Sequence, residues 1–232
     1  MIISSQGFGH FTQGLNNQDF GTETSRMLLV FDGCSGAKHS EIGTRLFAQL
    51  FSRKEEVDNV ETFEDNVKIV FDDIVWMFKK YYPMQEDLEE FIMDNLLFTI
   101  IACFETENEY IVKLFGDGYI ITENTQGRIS YMKFSYGKCP PYFAYKYCDL
   151  QGYDNLKNFK EYKFKTFKFD KKIFPKVAIA TDGVMPFAKG EVKVNDKCII
   201  EGNEAAIQMG IRSQRQIFFD DVTIGTFGGK KQ

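Results

Sequence analysis

Apolar positions along the chain fall into short continuous runs and longer stretches with helical spacing. Residues 26–31 (RMLLVF) are an apolar run closed by Asp-Gly, which predicts a buried strand meeting a turn. Over residues 40–51, Ile42, Leu46, Phe47 and Leu50 recur at helical spacing behind a serine, predicting a helix capped by Ser40. Val67, Val70, Phe71, Ile74 and Phe78 form the stripe of a longer helix over 60–82, with Pro83 after its end. Residues 86–95 read as a third helix, and 96–104 and 109–115 as two strands joined by a polar turn. Strands broken by a turn at 137–141 are expected between 124 and 147. Residues 157–172 alternate Phe or Tyr with Lys, the pattern of a half-exposed strand or hairpin with a solvated face; a basic docking strip is the alternative reading. Residues 176–181 predict another strand ending in Asp-Gly, 204–212 a helix, and 222–227 a last strand before the tail. Blocks of strands separated by blocks of helix predict an α+β layered fold rather than alternating βαβ units. No repeat or linker divides residues 1–232, so one domain is expected.

Composition narrows the field. The 232 residues are 44% hydrophobic and 26% charged, which excludes intrinsic disorder and supplies a substantial core. Lys and Arg total 28 against 33 Asp and Glu, a net charge of -5, so nucleic-acid binding is not expected. That balance leaves phosphate-bearing substrates open. The longest nearly apolar run, 96–104, is far short of the roughly 20 residues a membrane helix needs, and residues 1–6 lack a signal-peptide pattern. Cys34, Cys103, Cys139, Cys148 and Cys198 are scattered and odd in number. They suit neither a disulfide scaffold nor structural zinc, and point to a reducing cytoplasm.

The chemistry is concentrated in acidic residues at strand ends. Asp32-Gly33, Asp117-Gly118 and Asp182-Gly183 each stand at or just past an apolar run, Asp220-Asp221 precedes the run VTIGTF, and Asn17-Gln18-Asp19 lies near the start. Each Asp-Gly alone fits an ordinary turn. If the strands share one sheet edge, however, the carboxylates converge, repel one another, and call for a neutralising cation. Oxygen-only donors suit Mg2+ or Mn2+ rather than zinc or copper.

In order, G-x-x-H (Gly7 to His10), N-Q-D (Asn17 to Asp19), F-D-G-C-S-G (Phe31 to Gly36), G-D-G (Gly116 to Gly118), A-T-D-G-V (Ala180 to Val184) and D-D-V-T (Asp220 to Thr223) resemble the motifs of the metal-dependent PP2C (PPM) serine/threonine phosphatases. The likeness runs over essentially the whole chain and is greatest to a bacterial branch. It implies a four-layer αββα sandwich, two antiparallel sheets flanked by helices, with a metal cluster at one end of the strands. It also implies roles: Asp32 bridging two Mn2+ or Mg2+ ions, the Gly33 carbonyl completing one of them, Asp182 and Asp220 on the first ion, Asp19 reached through water, and Asp117 on a third, weaker ion. The implied reaction is attack on phosphoserine or phosphothreonine by a water shared between two ions, without a covalent enzyme intermediate. Cys34 is then no nucleophile, although a thiolate beside the metals would be a site of oxidative inhibition.

Departures from the family pattern define the competing readings. Gln18 stands where the family often has Glu, and residues 13–16 lack the Arg that grips phosphate in many relatives. His10 is the substitute, as phosphate contact or proton donor; a turn or core histidine is its plain structural alternative. Lys38 and His39 read as solvated loop residues, and the 182–220 segment is short for a substrate-gripping flap. The expected partners are a phosphorylated protein and a cognate Ser/Thr kinase, and no oligomeric state is implied. A non-catalytic binding module on the same fold, or a phosphatase of small phosphomonoesters, is the alternative.

Overall fold

Neighbouring residues of the strand β3 (Met27–Gly33) serve two different cores. Met27, Leu29 and Phe31 belong to a cluster shared with helices, whereas Leu28 and Val30 face a second sheet. A strand buried on both faces has no polar side to display, which is why it reads as a continuous apolar run. The same division splits β4 (Phe98–Glu105): Ile100, Ala102 and Phe104 turn to the helices, Ile101 and Cys103 to the other sheet.

The computed structural model describes residues 1–81, 84–136, 139–150 and 154–228. The remaining elements in chain order are β1 (Ile2–Ser5), α1 (Phe8–Gln13), β2 (Phe20–Glu23), α2 (Ser40–Phe51), α3 (Phe63–Tyr81), α4 (Gln85–Asn95), β5 (Glu109–Phe115), β6 (Gly118–Glu123), β7 (Ile129–Phe134), α5 (Asp154–Lys157), β8 (Lys165–Asp170), β9 (Lys176–Ala180), α6 (Met185–Ala188), α7 (Asp196–Ile200), α8 (Glu204–Ser213) and β10 (Val222–Thr226). One five-stranded sheet has the order β2-β3-β4-β5-β8 and the other β1-β10-β9-β6-β7. Each strand pair is antiparallel.

Leu28, Val30, Ile101, Val112, Ile120 and Ile179 fill the space between the sheets. Helices α2, α3 and α4 cover the outer face of the first sheet through a phenylalanine-rich cluster, in which Phe47 contacts Phe31, Phe71 and Phe98 with ring centroids 5.0–5.5 Å apart. Helices α6, α7 and α8 cover the second sheet through Phe187, Ile199, Ile200, Ile207 and Ile211. The architecture is therefore the four-layer αββα sandwich of the α+β class.

Several expectations change in detail. Ser40 does not cap α2; His39 holds the cap position without a side-chain bond, and the Ser40 hydroxyl donates to the Cys34 carbonyl at 3.2 Å. Ile42 is exposed, and the buried face of α2 runs through Gly43, Thr44, Phe47 and Phe51. Gly43 lies so close to the Asn95 carbonyl that a Cβ has no room, so α2 turns its smallest face to α4. Residues 143–147 form a 3-10 helix rather than a strand. Only Lys165–Asp170 of the 157–172 alternation is strand; Asn158–Glu161 is a 3-10 turn. The 182–220 segment is the helical layer over the second sheet, not a flap. Tyr82, Pro83, the 137–138 part of the expected turn and the tail from 229 lie outside the described residues. Among the described residues, no helix is long and apolar enough to cross a membrane.

Candidate active site

The sandwich brings one end of both sheets together, and the acidic motifs sit there. Asp32 is near the end of β3, cross-strand from Thr99. Phe20 pairs with Phe31, so the preceding Asp19 lies beside Asp32. Asp117 occupies the link where the chain leaves the first sheet at β5 and enters the second at β6. Asp182 follows β9 and Asp220 precedes β10, two antiparallel neighbours. The Asp182 N–H donates to the Asp32 carboxylate at 3.3 Å, joining the sheets at this point.

Proton affinities report the crowding. Burial first, then the charges of Asp19, Asp182, Asp220 and Asp117, holds Asp32 well above the usual carboxylate range. Asp19 is likewise held well above it by burial and by Asp221, Asp220 and Asp182, with the Thr181 hydroxyl bond opposing. Burial and the charge of Asp182 push both Asp117 and Asp220 up to about 6. Burial raises Asp182, against the pull of Lys133. Carboxylates buried this close favour their protonated forms unless a cation balances the charge.

Backbone and side-chain partners fix this arrangement. Gly116 (φ +107°) and Gly118 (φ +132°) flank Asp117 in the left-handed region that glycine alone enters easily. The N-Q-D segment is gripped by α2: the Thr44 hydroxyl donates to the Gln18 carbonyl at 3.1 Å and the Arg45 guanidinium to the Asn17 carbonyl at 2.9 Å.

Asp221 is the buried clamp of the site. Its carboxylate accepts the Gly7 N–H at 2.7 Å, the Gln18 N–H at 2.6 Å and His10 Nδ1 at 2.8 Å. Three donors take three of its four lone-pair positions, leaving one on Oδ1. Asp220 has one such bond, from the Asp221 N–H at 2.9 Å. Ligand atoms of His10, Asp220 and Asp221 lie within 4.8 Å of one another, and Asp220 is the less occupied of the two carboxylates. His10 is buried; its bond to Asp221, opposed by burial, raises its proton affinity above the ordinary histidine value. Its Nε2 makes no hydrogen bond among the described residues.

The fit of a cation rests on two orphaned atoms. Asp19 Oδ2 and Gln18 Oε1 are buried without a hydrogen-bond partner, a state that costs a few kcal/mol each unless an ion or water occupies the space. An all-oxygen donor set of this kind matches Mg2+ or Mn2+.

Motif reading does not reach several residues here. Tyr142 is buried, hydrogen-bonded to Cys34, and raised by burial, Cys34, Asp32 and Asp117; nothing in CPPYF marks it. Thr44 and Arg45 also lie outside the motifs, and Thr181 and Asp221, although within them, act through long-range bonds that spacing does not reveal. Lys38 and His39 turn away from the cluster: Lys38 pairs with Asp94 at 2.7 Å, and exposed His39 lies 3.6 Å from Glu41.

No protein-family model matches the chain, and no curated protein matches it by sequence. Solved structures do match it. The serine/threonine phosphatase Stp1 from Staphylococcus aureus superposes with a TM-score of 0.62 at 15% identity, covering 97% of this chain and 92% of that one. The serine/threonine phosphatase PstP/Ppp of Mycobacterium tuberculosis gives 0.58 at 14%, covering 97% and 96%. The catalytic domain of PstP in complex with two manganese ions gives 0.59 at 16%, covering 97% and 95%. The fold is that of the bacterial PP2C-type serine/threonine phosphatases, over nearly the full length of each.

Proposed function

We propose that this chain is a metal-dependent phosphatase that hydrolyses phosphoserine and phosphothreonine in proteins. The observation that carries the reading is the convergence of Asp19, Asp32, Asp117, Asp182 and Asp220, from five separate segments, on one end of the sandwich with unbalanced charge. Asp32, Asp182 and Asp220 would hold a first Mn2+ or Mg2+; Asp32 and the Gly33 carbonyl would face a second, with Asp19 reaching the cluster through water. Asp117 would serve a third, weaker ion. Divalent ions bound there supply Lewis acidity, charge neutralisation and a lowered pKa for water. His10, its Nδ1 held by Asp221, would present Nε2 to a phosphoryl oxygen as a hydrogen-bond donor. The partners implied are a phosphorylated protein and the kinase that modifies it, in the cytoplasm. Gln18, uncharged where a carboxylate would strengthen the second position, favours the alternative of a binding module without turnover.

Hydrolysis of a chromogenic aryl phosphate, with Mn2+, Mg2+ and EDTA arms, separates the two. Turnover is expected with metal only. Asp32→Asn and Asp182→Asn are each expected to lose at least about 100-fold, the upper end of what removing an outer-sphere partner costs a metal site. No turnover at millimolar Mn2+ overturns the hydrolase reading. Near-normal rates in both variants overturn the ligand assignment. Comparing phosphopeptides with small metabolite esters then fixes the substrate class.

A further inference from the structure

A small cavity of about 200 Å³ opens beside the acidic cluster, lined by Asp182, Gly183, Met185, Pro186, Ile217, Phe218, Phe219 and Asp220. Two of these are the carboxylates assigned above to the first ion. Most of the others are apolar, and three are exposed: Met185 by 36%, Ile217 by 41% and Phe219 by 70%. Exposed apolar side chains scattered singly need no explanation, but gathered around one concavity they mark a contact site.

The walls are held in place before anything binds. Phe218 is buried against Phe187, with ring centroids 5.0 Å apart, and its carbonyl accepts the Phe8 N–H at 2.7 Å. The Phe219 carbonyl accepts the Gly9 N–H at 2.9 Å, and the Phe219 ring lies directly over Gly9. On the opposite wall, Met185 and Pro186 open α6 immediately after the Asp182–Val184 turn. A preformed site loses less entropy on binding than one ordered by its ligand.

We propose that this cavity is a specificity subsite that takes a bulky apolar side chain adjacent to the phosphorylated residue of a protein substrate, an assignment that rests on the phosphatase reading above. Continuity chooses the occupant. Because Asp182 and Asp220 line the same cavity, a group seated among Met185, Ile217 and Phe219 has its neighbouring atoms at the carboxylate cluster. The volume is below the roughly 300–1,000 Å³ of sites for whole small ligands, and suits a single side chain. Partial burial of a leucine-sized side chain here corresponds to a preference of about tenfold.

The test uses three phosphothreonine peptides that carry Leu, Ser or Lys at both flanking positions, assayed in Mn2+ beside the aryl phosphate. The affinities of non-hydrolysable phosphonate versions are measured in parallel. The wild-type chain is expected to favour the Leu peptide about tenfold over Ser in kcat/KM and in affinity. The Ile217→Ser, Phe219→Ser double variant, altered only at exposed positions, is expected to bring that ratio near one. Aryl phosphate turnover with equal values for Leu and Ser peptides overturns the subsite and leaves the phosphatase reading intact. A preference for Lys overturns it in favour of the carboxylates as recognition groups. Absent turnover with a retained Leu preference in affinity supports the subsite and rejects the hydrolase. Light scattering covers the remaining occupant: concentration-dependent dimerisation abolished by Phe219→Ser would assign the cavity to a second copy of the chain and overturn the proposal.

Discussion

Asp32 is under two opposed demands. Its burial among four other carboxylates disfavours the charged form, yet a cation site needs that charge. Replacing it with Asn removes one repelling charge and keeps an oxygen able to accept the Asp182 N–H. Asp32→Asn is therefore expected to stabilise the metal-free chain by about 1–3 kcal/mol, the scale of an uncompensated buried polar group, while abolishing stabilisation by Mn2+; urea denaturation with and without metal measures both. Asp221 behaves oppositely, because its carboxylate satisfies three donors. Asp221→Ala leaves two buried N–H groups and a histidine without their acceptor, and a loss of about 2–4 kcal/mol is expected in the same assay. The sequence points to acidic residues closing apolar runs, and the family resemblance selects Asp220, but the physical distinction from Asp221 is not in the pattern. That distinction depends on Gly7, His10 and Gln18, which are remote in the chain, and so it appears only in three dimensions.

Among the elements, those with long periodic or continuous apolar patterns are the ones the sequence reveals. Helix α2 and strand β5 occupy 40–51 and 109–115 as expected, and α8 and β10 differ from expectation by a residue. Strands β1 and β2 have four residues each, and only Ile3 among them is fully buried, too little pattern to register. Strand β6 is buried throughout, but Thr122 and Glu123 break its apolar run, so a real central strand reads as a mixed segment. In helix α2, Ile42 fits the helical spacing but is exposed, and Gly43 decides the packing. Contacts between turns matter as much as elements here. A Cβ on Gly183 would meet the Asp221 carbonyl and the Val222 side chain, so Gly183→Ala must push the β9 and β10 ends apart. A destabilisation of about 1–3 kcal/mol, typical of forced overpacking, is expected, together with a smaller Mn2+-induced rise in melting temperature.

For the molecule as a whole, the acidic end couples stability to pH. Asp117 and Asp220, raised to about 6 from 3.8, bind protons more tightly folded than unfolded. Their contribution to stability is complete below pH 3.8 and is lost as pH rises through about 6. His10, raised above 6.5, has the same sign: its contribution is present below 6.5 and lost above its folded value. The metal-free chain is expected to melt at progressively lower temperature from pH 5 to pH 7.5. With Mn2+ bound as proposed, the ion would replace the protons, and the gap between the curves with and without metal is expected to widen over that range. At 100 times its dissociation constant an ion adds about 2.7 kcal/mol, or roughly 5–10 °C for a chain of this size. Differential scanning calorimetry at three pH values, with EDTA and with Mn2+, checks both the slope and the gap.

The clamp at Asp221 also fixes when the site can exist. Its bonds to Gly7 and Gln18 span 214 and 203 positions of chain, and β10, which follows it, lies between β1 and β9. During synthesis the carboxylates of Asp19 and Asp32 emerge early, but their neighbours Asp182 and Asp220 come from the last quarter of the sequence. A ribosome-bound intermediate lacking β10 has no seat for its first strand, and one that stops before Asp220 also lacks that carboxylate and the Asp221 clamp. The acidic site is thus left unassembled until translation has passed Thr226.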